Sequence, residues 1–454
     1  MFAKVLVANR GEIAVRVLRT LRDLGVPSVA VYSEADRDSR HVALADQAVP
    51  IGPAPATKSY LRVDAIVEAA RATGATAIHP GYGFLAEKAD FAEAVEAAGL
   101  VFIGPTPENM RLAGSKLGAR QTLQAAGVPV VPGSEEPILD VRTAVRIADT
   151  IGYPVMLKAS AGGGGRGMRV VPDHDTLLED FALAQGEARA AFGDPTLYIE
   201  RLIVGARHIE VQVVGDGAGG AVHLGERNCS VQRRHQKLIE EAPSPALPAE
   251  AASRLHEAAC RAVSAMRYRN AGTVEFLVDE QHAFYFMEIN ARIQVEHPVT
   301  EAITGIDLIR AQLEVAATGR LPFTQSDVAF HGHAIECRLN AEDPDQGFLP
   351  QPGRIERLRL PGGRGVRLDT HLFEGYEVPV FYDSLVGKLI AHARTRAEAV
   401  AVMRRALAEF EAAPLGTTAP FLRQVMAEPA FVDGNYTLAF LPSLLPPDEE
   451  PDDL

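Results

Sequence analysis

The chain has 454 residues, more than one compact core usually holds, and predicts two or three domains. Hydrophobic residues make up 47% and charged residues 23%, an ordinary globular balance, and the formal net charge is −14. That acidic balance argues against nucleic acid or an anionic membrane surface as a partner, and no apolar run is long enough to span a bilayer.

The first hundred residues alternate strand-like and helix-like segments. "KVLVA" is a short apolar run suited to a buried parallel strand, and "GEIAVRVLRTLRDLG" has helical periodicity with a terminal glycine. "SVAVYS", "ATAIHP" and "LVFIG" read as further strands; "YLRVDAIVEAARATG" and "KADFAEAVEAAG" read as helices. This order predicts a doubly wound parallel sheet over roughly residues 1–104. Loops after such strands gather at the ligand edge, and "HPGYGFLAE", His79–Glu87, is one of them. A helical stretch around "SKLGARQTLQAAG" follows, then a small unit from about Pro132 to Leu202. From about Ile203 the chain is richer in strands: "HIEVQVVGD", "AVHLGER", "GTVEFLVD" and "AFYFMEINARIQV". It closes on the acidic "PPDEEPDDL", expected to be a frayed tail. Cys229, Cys260 and Cys337 are odd in number and widely spaced. They form neither a disulfide framework nor a zinc set, and they point to a reducing cytosol. The N-terminus lacks the layout of a signal peptide.

"LKASAGGGGRGMRVV" carries a dense glycine loop, Gly162, Gly163, Gly164, Gly165 and Gly167, between two strand-like segments. It is neither a dinucleotide fingerprint, since a strand follows, nor a Walker A loop, since no Lys-Ser/Thr follows. A glycine hairpin whose backbone N–H groups close on phosphate, with Lys158 supplying charge, fits best; a flexible surface loop is the alternative. Lys116, at a helix start, is by spacing alone an exposed lysine.

"GTVEFLVDEQHAFYFMEIN" reads as a hairpin that sets Glu275 nearly opposite Glu288. Facing carboxylates destabilise a sheet unless a cation lies between them, so the pair predicts Mg²⁺ or Mn²⁺, with Asn290 as a neutral third ligand. A solvent-facing strand in a different register is the alternative. Strand alternation then places Arg292, Gln294 and Glu296 on the same line: a fork for an oxyanion, a hydrogen-bonding amide and a base. Upstream, His208, Glu210 and Gln212 share a strand face. "ERNCSVQRRHQK" adds Gln232, His235 and Lys237, more consistent with an anion in a cleft than with nucleic acid. "HAIECRLNAED" sets Glu336 and Arg338 on one face, opposite His333, Ile335 and Cys337.

Taken together, "KVLVANRGEIAVR", "HPGYGFLAE", "KASAGGGGRGM", "ERNCSVQRRHQK", "EINARIQVEHPVTE" and "HAIECRLNAED" resemble, in order and over roughly residues 2–440, the biotin carboxylase family of ATP-grasp enzymes. The resemblance implies an α/β and α+β architecture with these parts: an N-terminal region 1–114, a linker 115–131, a lid 132–202, an ATP-grasp core 203–330, a C-terminal region 331–446 and a tail 447–454. It implies that ATP phosphorylates bicarbonate to carboxyphosphate, whose carboxyl group passes to N1′ of biotin on a carrier. By matching position, Lys116, Lys158, the glycine loop, Glu200, Ile203, His208, Gln232 and His235 would contact ATP. Glu275 and Glu288 would bind metal beside the nucleotide, with Asn290. Lys237, Arg292, Gln294 and the Val295 backbone would hold bicarbonate, and Glu296 would deprotonate it. Arg338 would stabilise the biotin enolate, with Tyr82 and Gly83 near the ring. Ala291 stands where the family has Thr or Pro, and "LGTTAP", Leu415–Pro420, departs from the family pattern. No Ala-Met-Lys-Met attachment motif occurs, so a separate biotin carboxyl carrier protein and carboxyltransferase subunits are expected, with acetyl-CoA the first candidate acceptor. The resemblance also implies a cytoplasmic homodimer. A carbamoyl-phosphate-type ligase on the same fold is the rival reading.

Overall fold

The N-terminal sheet is built from β1 (Val5–Val7), β2 (Ser28–Ser33), β3 (Gln47–Gly52), β4 (Ala77–His79) and β5 (Val101–Phe102), all parallel, in the order β3-β2-β1-β4-β5. Val5, Leu6 and Val7 are all fully buried, as expected of a central strand covered on both faces. The covering helices are α1 (Gly11–Asp23), α2 (Arg40–Leu44), α3 (Val63–Thr73) and α4 (Ala89–Ala97). The edge strand β3 escaped the sequence reading because it is largely solvent-facing and contains Pro50. Strand order reverses between β1 and β4, so the loops at their carboxyl ends meet. Asn9 Nδ2 donates to the carbonyls of Pro80 and Tyr82, both at 2.7 Å, and so pins the loop that carries Tyr82. Gly81 in that loop has φ +64°, and a Cβ there would stand 2.9 Å from Asn9 Nδ2.

The computed structural model describes residues 1–160 and 167–445, apart from the side chains of Lys116, Leu117 and Phe192. After α5 (Pro107–Gly114), α6 (Lys116–Ala125) and α7 (Val141–Ile151) comes a small antiparallel sheet. Its strands β6 (Val155–Ala159), β7 (Met168–Val171) and β8 (Leu197–Arg201) lie in the order β7-β6-β8, with α8 (His174–Phe192) packed on it. Val155, Leu157, Val171, Leu177, Phe181, Leu197 and Ile199 form a core separate from that of the first sheet. Lys158 pairs with Met168, so β6 and β7 form the hairpin expected on either side of the glycines. Gly162, Gly163, Gly164 and Gly165, like the tail 447–454, lie outside the described residues; Gly167 has φ +69°.

The largest sheet comprises β9 (Arg207–Asp216), β10 (Ala221–Arg233), β11 (Gln236–Ala242), β12 (Arg269–Val278), β13 (Phe284–Asn290), β14 (His333–Asn340), β15 (Val366–Thr370) and β16 (Leu385–Ala393). Their order is β13-β12-β9-β10-β11-β14-β16-β15, so strands on both sides of the 330/331 division share one sheet. On β9, Ile209, Val211 and Val213 pack with Leu255, Ala259 and Val263 of α9 (Ala249–Ala265). His208, Glu210 and Gln212 take the other face, as the two-residue period requires.

One expectation fails. The strand does not continue to Val295: β13 ends at Asn290, residues 291–296 turn, and α10 (His297–Thr304) starts with Pro298 in its first turn. Arg292, Gln294 and Glu296 therefore do not extend along a strand face. The turn is held by Gln294 Nε2, which donates to Glu275 Oε1 at 2.8 Å and folds the segment back over β12. Helices α11 (Leu308–Thr318) and α12 (Arg396–Glu409) also pack on this sheet. No helix among the described residues is long and apolar enough to cross a membrane, and all three cysteines are free.

A buried pair within the N-terminal region also reaches the C-terminal part through Tyr376. Arg10 Nε and Nη2 donate to the two oxygens of Asp36 at 2.6 and 2.8 Å, and Nη2 also donates to Tyr376 Oη at 3.2 Å. Burial pushes the Asp36 carboxyl up, but Arg10 more than offsets this and holds it well below the usual carboxylate range. The pair's stabilisation is therefore present above the unfolded carboxylate value, ~3.9, and is lost as pH falls through the depressed folded value. Asp36→Asn, which leaves the Arg10 charge buried and unpaired, is expected to cost roughly 3–5 kcal/mol at pH 7 by urea unfolding, with the difference shrinking in acid. A neutral-pH loss within experimental error of zero would refute the account.

Candidate active site

Three neighbouring strands carry three carboxylates in one row. Glu275 on β12 is paired with Glu210 on β9 and with Glu288 on β13, the register expected for the last pair. Glu210 and Glu275 are buried; Glu288 is exposed. Such a row needs cations, and Lys237 provides one. The β10–β11 hairpin turns through Arg234 and His235, both in the left-handed region, and sets Lys237 opposite Gln232. From there Lys237 Nζ donates to Glu210 at 2.5 Å, Glu275 at 2.8 Å and Glu296 at 2.7 Å. Burial alone would lower the lysine; the three carboxylates reverse this and hold it well above its ordinary value.

Arg227 supplies a second buried cation that the sequence reading did not single out. It is 0% exposed, and its guanidinium donates to Glu210 at 2.5 Å, Gln212 and Gln294 each at 2.7 Å, Thr300 at 2.9 Å and Thr273 at 3.1 Å. Burial raises the Glu210 carboxyl, but Arg227 and Lys237 outweigh it and bring the group down to about 2. His208 Nε2 stands 3.1 Å from Glu275, and Gln232 Nε2 lies 2.7 Å from His208 Nδ1.

Glu296 immediately precedes α10 and lies between two cations. Lys237 reaches one oxygen, and Arg338 Nη2 donates to the other at 2.9 Å. Burial pushes its carboxyl up; Lys237, Arg338 and Arg227 pull harder, so it sits below the ordinary value and is anionic at neutral pH. Arg338 also donates from Nε to Glu240 at 2.6 Å. Arg292 pairs with Glu87 at 3.2 Å and donates to Asn290 Oδ1 at 3.0 Å, while Asn290 Nδ2 donates to Glu275. The amide oxygen expected to face a metal is thus engaged by Arg292. Ala291, the departure from the family pattern, is buried in the main core.

The residues expected to contact ATP include a second ion group on the small sheet. Lys158 Nζ donates to Glu200 at 2.5 Å, and Arg120 of α6 reaches the other oxygen of Glu200 at 3.1 Å. Ile203 lies between β8 and β9, where the small sheet joins the large one, and His235 is exposed at the hairpin tip. Lys116 opens α6; its side chain lies outside the described residues. Tyr82 donates to Glu12 of α1 in a very short contact, and Gly83 is exposed beside it. Glu12 in turn pairs with Lys388 of β16 at 3.1 Å, and Lys388 Nζ donates to the Val295 carbonyl at 3.0 Å. The fold therefore links the expected acceptor loop to the expected bicarbonate backbone. Glu275 and Glu288 are paired across β12 and β13, and carboxylate oxygens are hard donors of the kind that suit Mg²⁺ or Mn²⁺.

The sequence matches three families in order: "Biotin carboxylase, N-terminal domain" over residues 1–110, "Carbamoyl-phosphate synthase L chain, ATP binding domain" over 115–324 and "Biotin carboxylase C-terminal domain" over 336–443. Biotin carboxylase of Pseudomonas aeruginosa is 51% identical over 442 residues, covering 97% of this chain and 98% of that protein. This chain belongs to the biotin carboxylase family. A biotin carboxylase–β,γ-ATP complex from Campylobacter jejuni superposes with a TM-score of 0.93 at 47% identity, covering 98% of this chain and 99% of the other. The biotin carboxylase domain dimer of Hydrogenobacter thermophilus 2-oxoglutarate carboxylase, with MgADP, ADP and bicarbonate, gives 0.91 at 47% identity and 98% coverage of each chain. The fold is therefore that of an ATP-grasp biotin carboxylase, and the chain is an ATP-dependent ligase of that family.

Besides Arg227, the sequence alone gave no role to Glu87, Arg120, Glu12, Glu240 or Lys388. The available signal was a charged residue at an inward position of an apolar strand, as Arg227 is in "AVHLGERNC" and Lys388 in "LVGKLIAHA". Arg227→Met, which removes five donated bonds from buried acceptors, is expected to destabilise the protein by roughly 3–5 kcal/mol in urea unfolding. A loss under about 1 kcal/mol would mean that Arg227 is dispensable to the network.

Proposed function

We propose that this chain carboxylates carrier-bound biotin at N1′, using ATP and bicarbonate, within an acyl-CoA carboxylase whose first candidate acceptor is acetyl-CoA. The observation that carries the reading is the position of Glu296: anionic, buried and held by Lys237 and Arg338 beside the Glu275–Glu288 pair. Glu275 and Glu288, with Asn290, would hold Mg²⁺ or Mn²⁺, which when bound neutralises phosphate charge. Lys158, Glu200, Ile203, His208, Gln232, His235, Lys116 and the Gly162–Gly167 loop bind the nucleotide. Arg292, Lys237, Gln294 and the Val295 backbone hold bicarbonate, and Glu296 takes its proton as the bicarbonate oxygen attacks the γ-phosphorus and the bond to the bridging oxygen breaks, releasing ADP. Carboxyphosphate hydrolyses readily, so the residues around it serve by excluding water as well as by balancing charge. Arg338 offsets the negative charge of the biotin enolate, with Tyr82 and Gly83 beside the ring. The regions 1–114, 132–202, 203–330 and 331–446 are the proposed functional parts.

A biotin carboxyl carrier protein and carboxyltransferase subunits are the proposed partners, the chain itself forming a cytosolic homodimer. The Hydrogenobacter relative is a domain dimer of a 2-oxoglutarate carboxylase, so a keto acid is the competing acceptor class.

Phosphate release from ATP, Mg²⁺ and bicarbonate, measured with and without free biotin, tests the reading. Stimulation by biotin is expected; no release above background, alone or with a carrier protein, rejects it, and biotin-independent turnover with an amine acceptor favours the rival ligase. Glu288→Gln should abolish turnover, and near-normal activity in that variant rejects the metal assignment. Glu296→Gln should lower kcat by about 10²–10⁴-fold with nucleotide binding retained, the range for a lost general base.

A further inference from the structure

The sheet carries a second pair of facing carboxyls, outside the chemistry above. Glu240 on β11 lies directly opposite Glu336 on β14, and both are 0% exposed. Directly opposite side chains stand ~4.5–5.5 Å apart at Cβ. Glu240 Oε1 accepts from Arg338. Glu240 Oε2 and both oxygens of Glu336 have no hydrogen-bond partner among the described residues. A buried carboxylate without donors is costly to keep charged, and two of them face to face repel.

The surrounding charges do not remove the problem. Arg338 is divided between Glu240 and Glu296. Lys237, on the same strand as Glu240, is committed to Glu210, Glu275 and Glu296. Lys388 on β16 is committed to Glu12 and the Val295 carbonyl. Tyr82 is tied to Glu12, and burial keeps the thiols of Cys229 and Cys337 neutral. His297 on α10, which packs against β14, is also held neutral, chiefly by burial. Burial raises both acids, Glu240 to about 7 and Glu336 well above its ordinary value.

We propose that Glu240 and Glu336 hold one proton between them at neutral pH and that this shared proton sets the position of Arg338 towards the biotin acceptor. Both are positioning residues, and the inference rests on the role given to Arg338 above. A carboxyl paired with a carboxylate removes one buried charge and gives an orphaned oxygen a donor. When the pair loses its proton, a second full charge competes with Glu296 for the guanidinium, and biotin is less well met.

Infrared spectroscopy of the full chain tests the proton directly. A protonated-carboxyl C=O band is expected at pH 7, retained in Glu12→Gln (the other nearby raised acid), lost in Glu336→Gln and titrated away in alkali. No such band in the wild type, or a band unchanged in both Glu240→Gln and Glu336→Gln, overturns the proposal. In kinetics, kcat/KM for free biotin should fall about tenfold per pH unit above the pair's titration, as for loss of one required proton. Glu336→Gln should remove that limb while leaving neutral activity near wild type; an unchanged limb rejects the positioning role. If Arg338→Ala leaves the biotin KM unchanged, the assignment of Arg338 fails, and the infrared band still decides the shared proton.

Discussion

Carboxylates from β9, β12 and the turn before α10 converge on the single ammonium of Lys237. Without that cation, and without Arg227 behind it, the row Glu210–Glu275–Glu288 would be a stack of like charges in register across neighbouring strands. With them, the row becomes a rigid arrangement of oxygens whose geometry is set before any substrate arrives. Buried ion networks of this kind add little net stability, because desolvation consumes most of the Coulombic gain. Their worth here is in position: Glu210 and Glu275 are each held by more than one donor and have little freedom left.

The same arrangement explains why the polar face lies where it does. The β9–β12 face turned away from α9 is the one covered by residues 291–296, folded back by Gln294. That turn delivers Glu296 to Lys237 and Arg338, and it delivers the Val295 carbonyl to Lys388. Lys388 belongs to a strand of the C-terminal part, and its partner Glu12 belongs to the first helix. Residues separated by most of the chain thus meet at one point, at the carboxyl edge of the N-terminal sheet where strand order reverses. Lys158 and Glu200, proposed to contact the nucleotide, sit on a different, smaller sheet with its own core. The proposed site would therefore span two separately packed sheets, a common way to combine a fixed chemical centre with a cover that closes.

Much of this was legible without coordinates. The N-terminal parallel sheet followed from apolar runs alternating with amphipathic helices. The opposition of Glu275 and Glu288 followed from counting out from the hairpin loop, and the face shared by His208, Glu210 and Gln212 from the two-residue period. Each of these depends on local geometry, which the order of residues controls. The course of residues 291–296 was misread for the same reason. Their alternation has a strand period, yet a long-range bond from Gln294 to Glu275 and a helix start at His297 override it.

By itself, then, the sequence determined the element types, the hairpin registers and the set of charged side chains available. Tertiary structure alone decided which charges pair. Arg227 finds its partners on β9, β12, the turn and α10, and Lys388 finds Glu12 across most of the length of the chain. Such pairings are made by the packing of distant elements, and a buried charge settles wherever that packing leaves an opposite charge or a donor within reach. No local spacing encodes that choice.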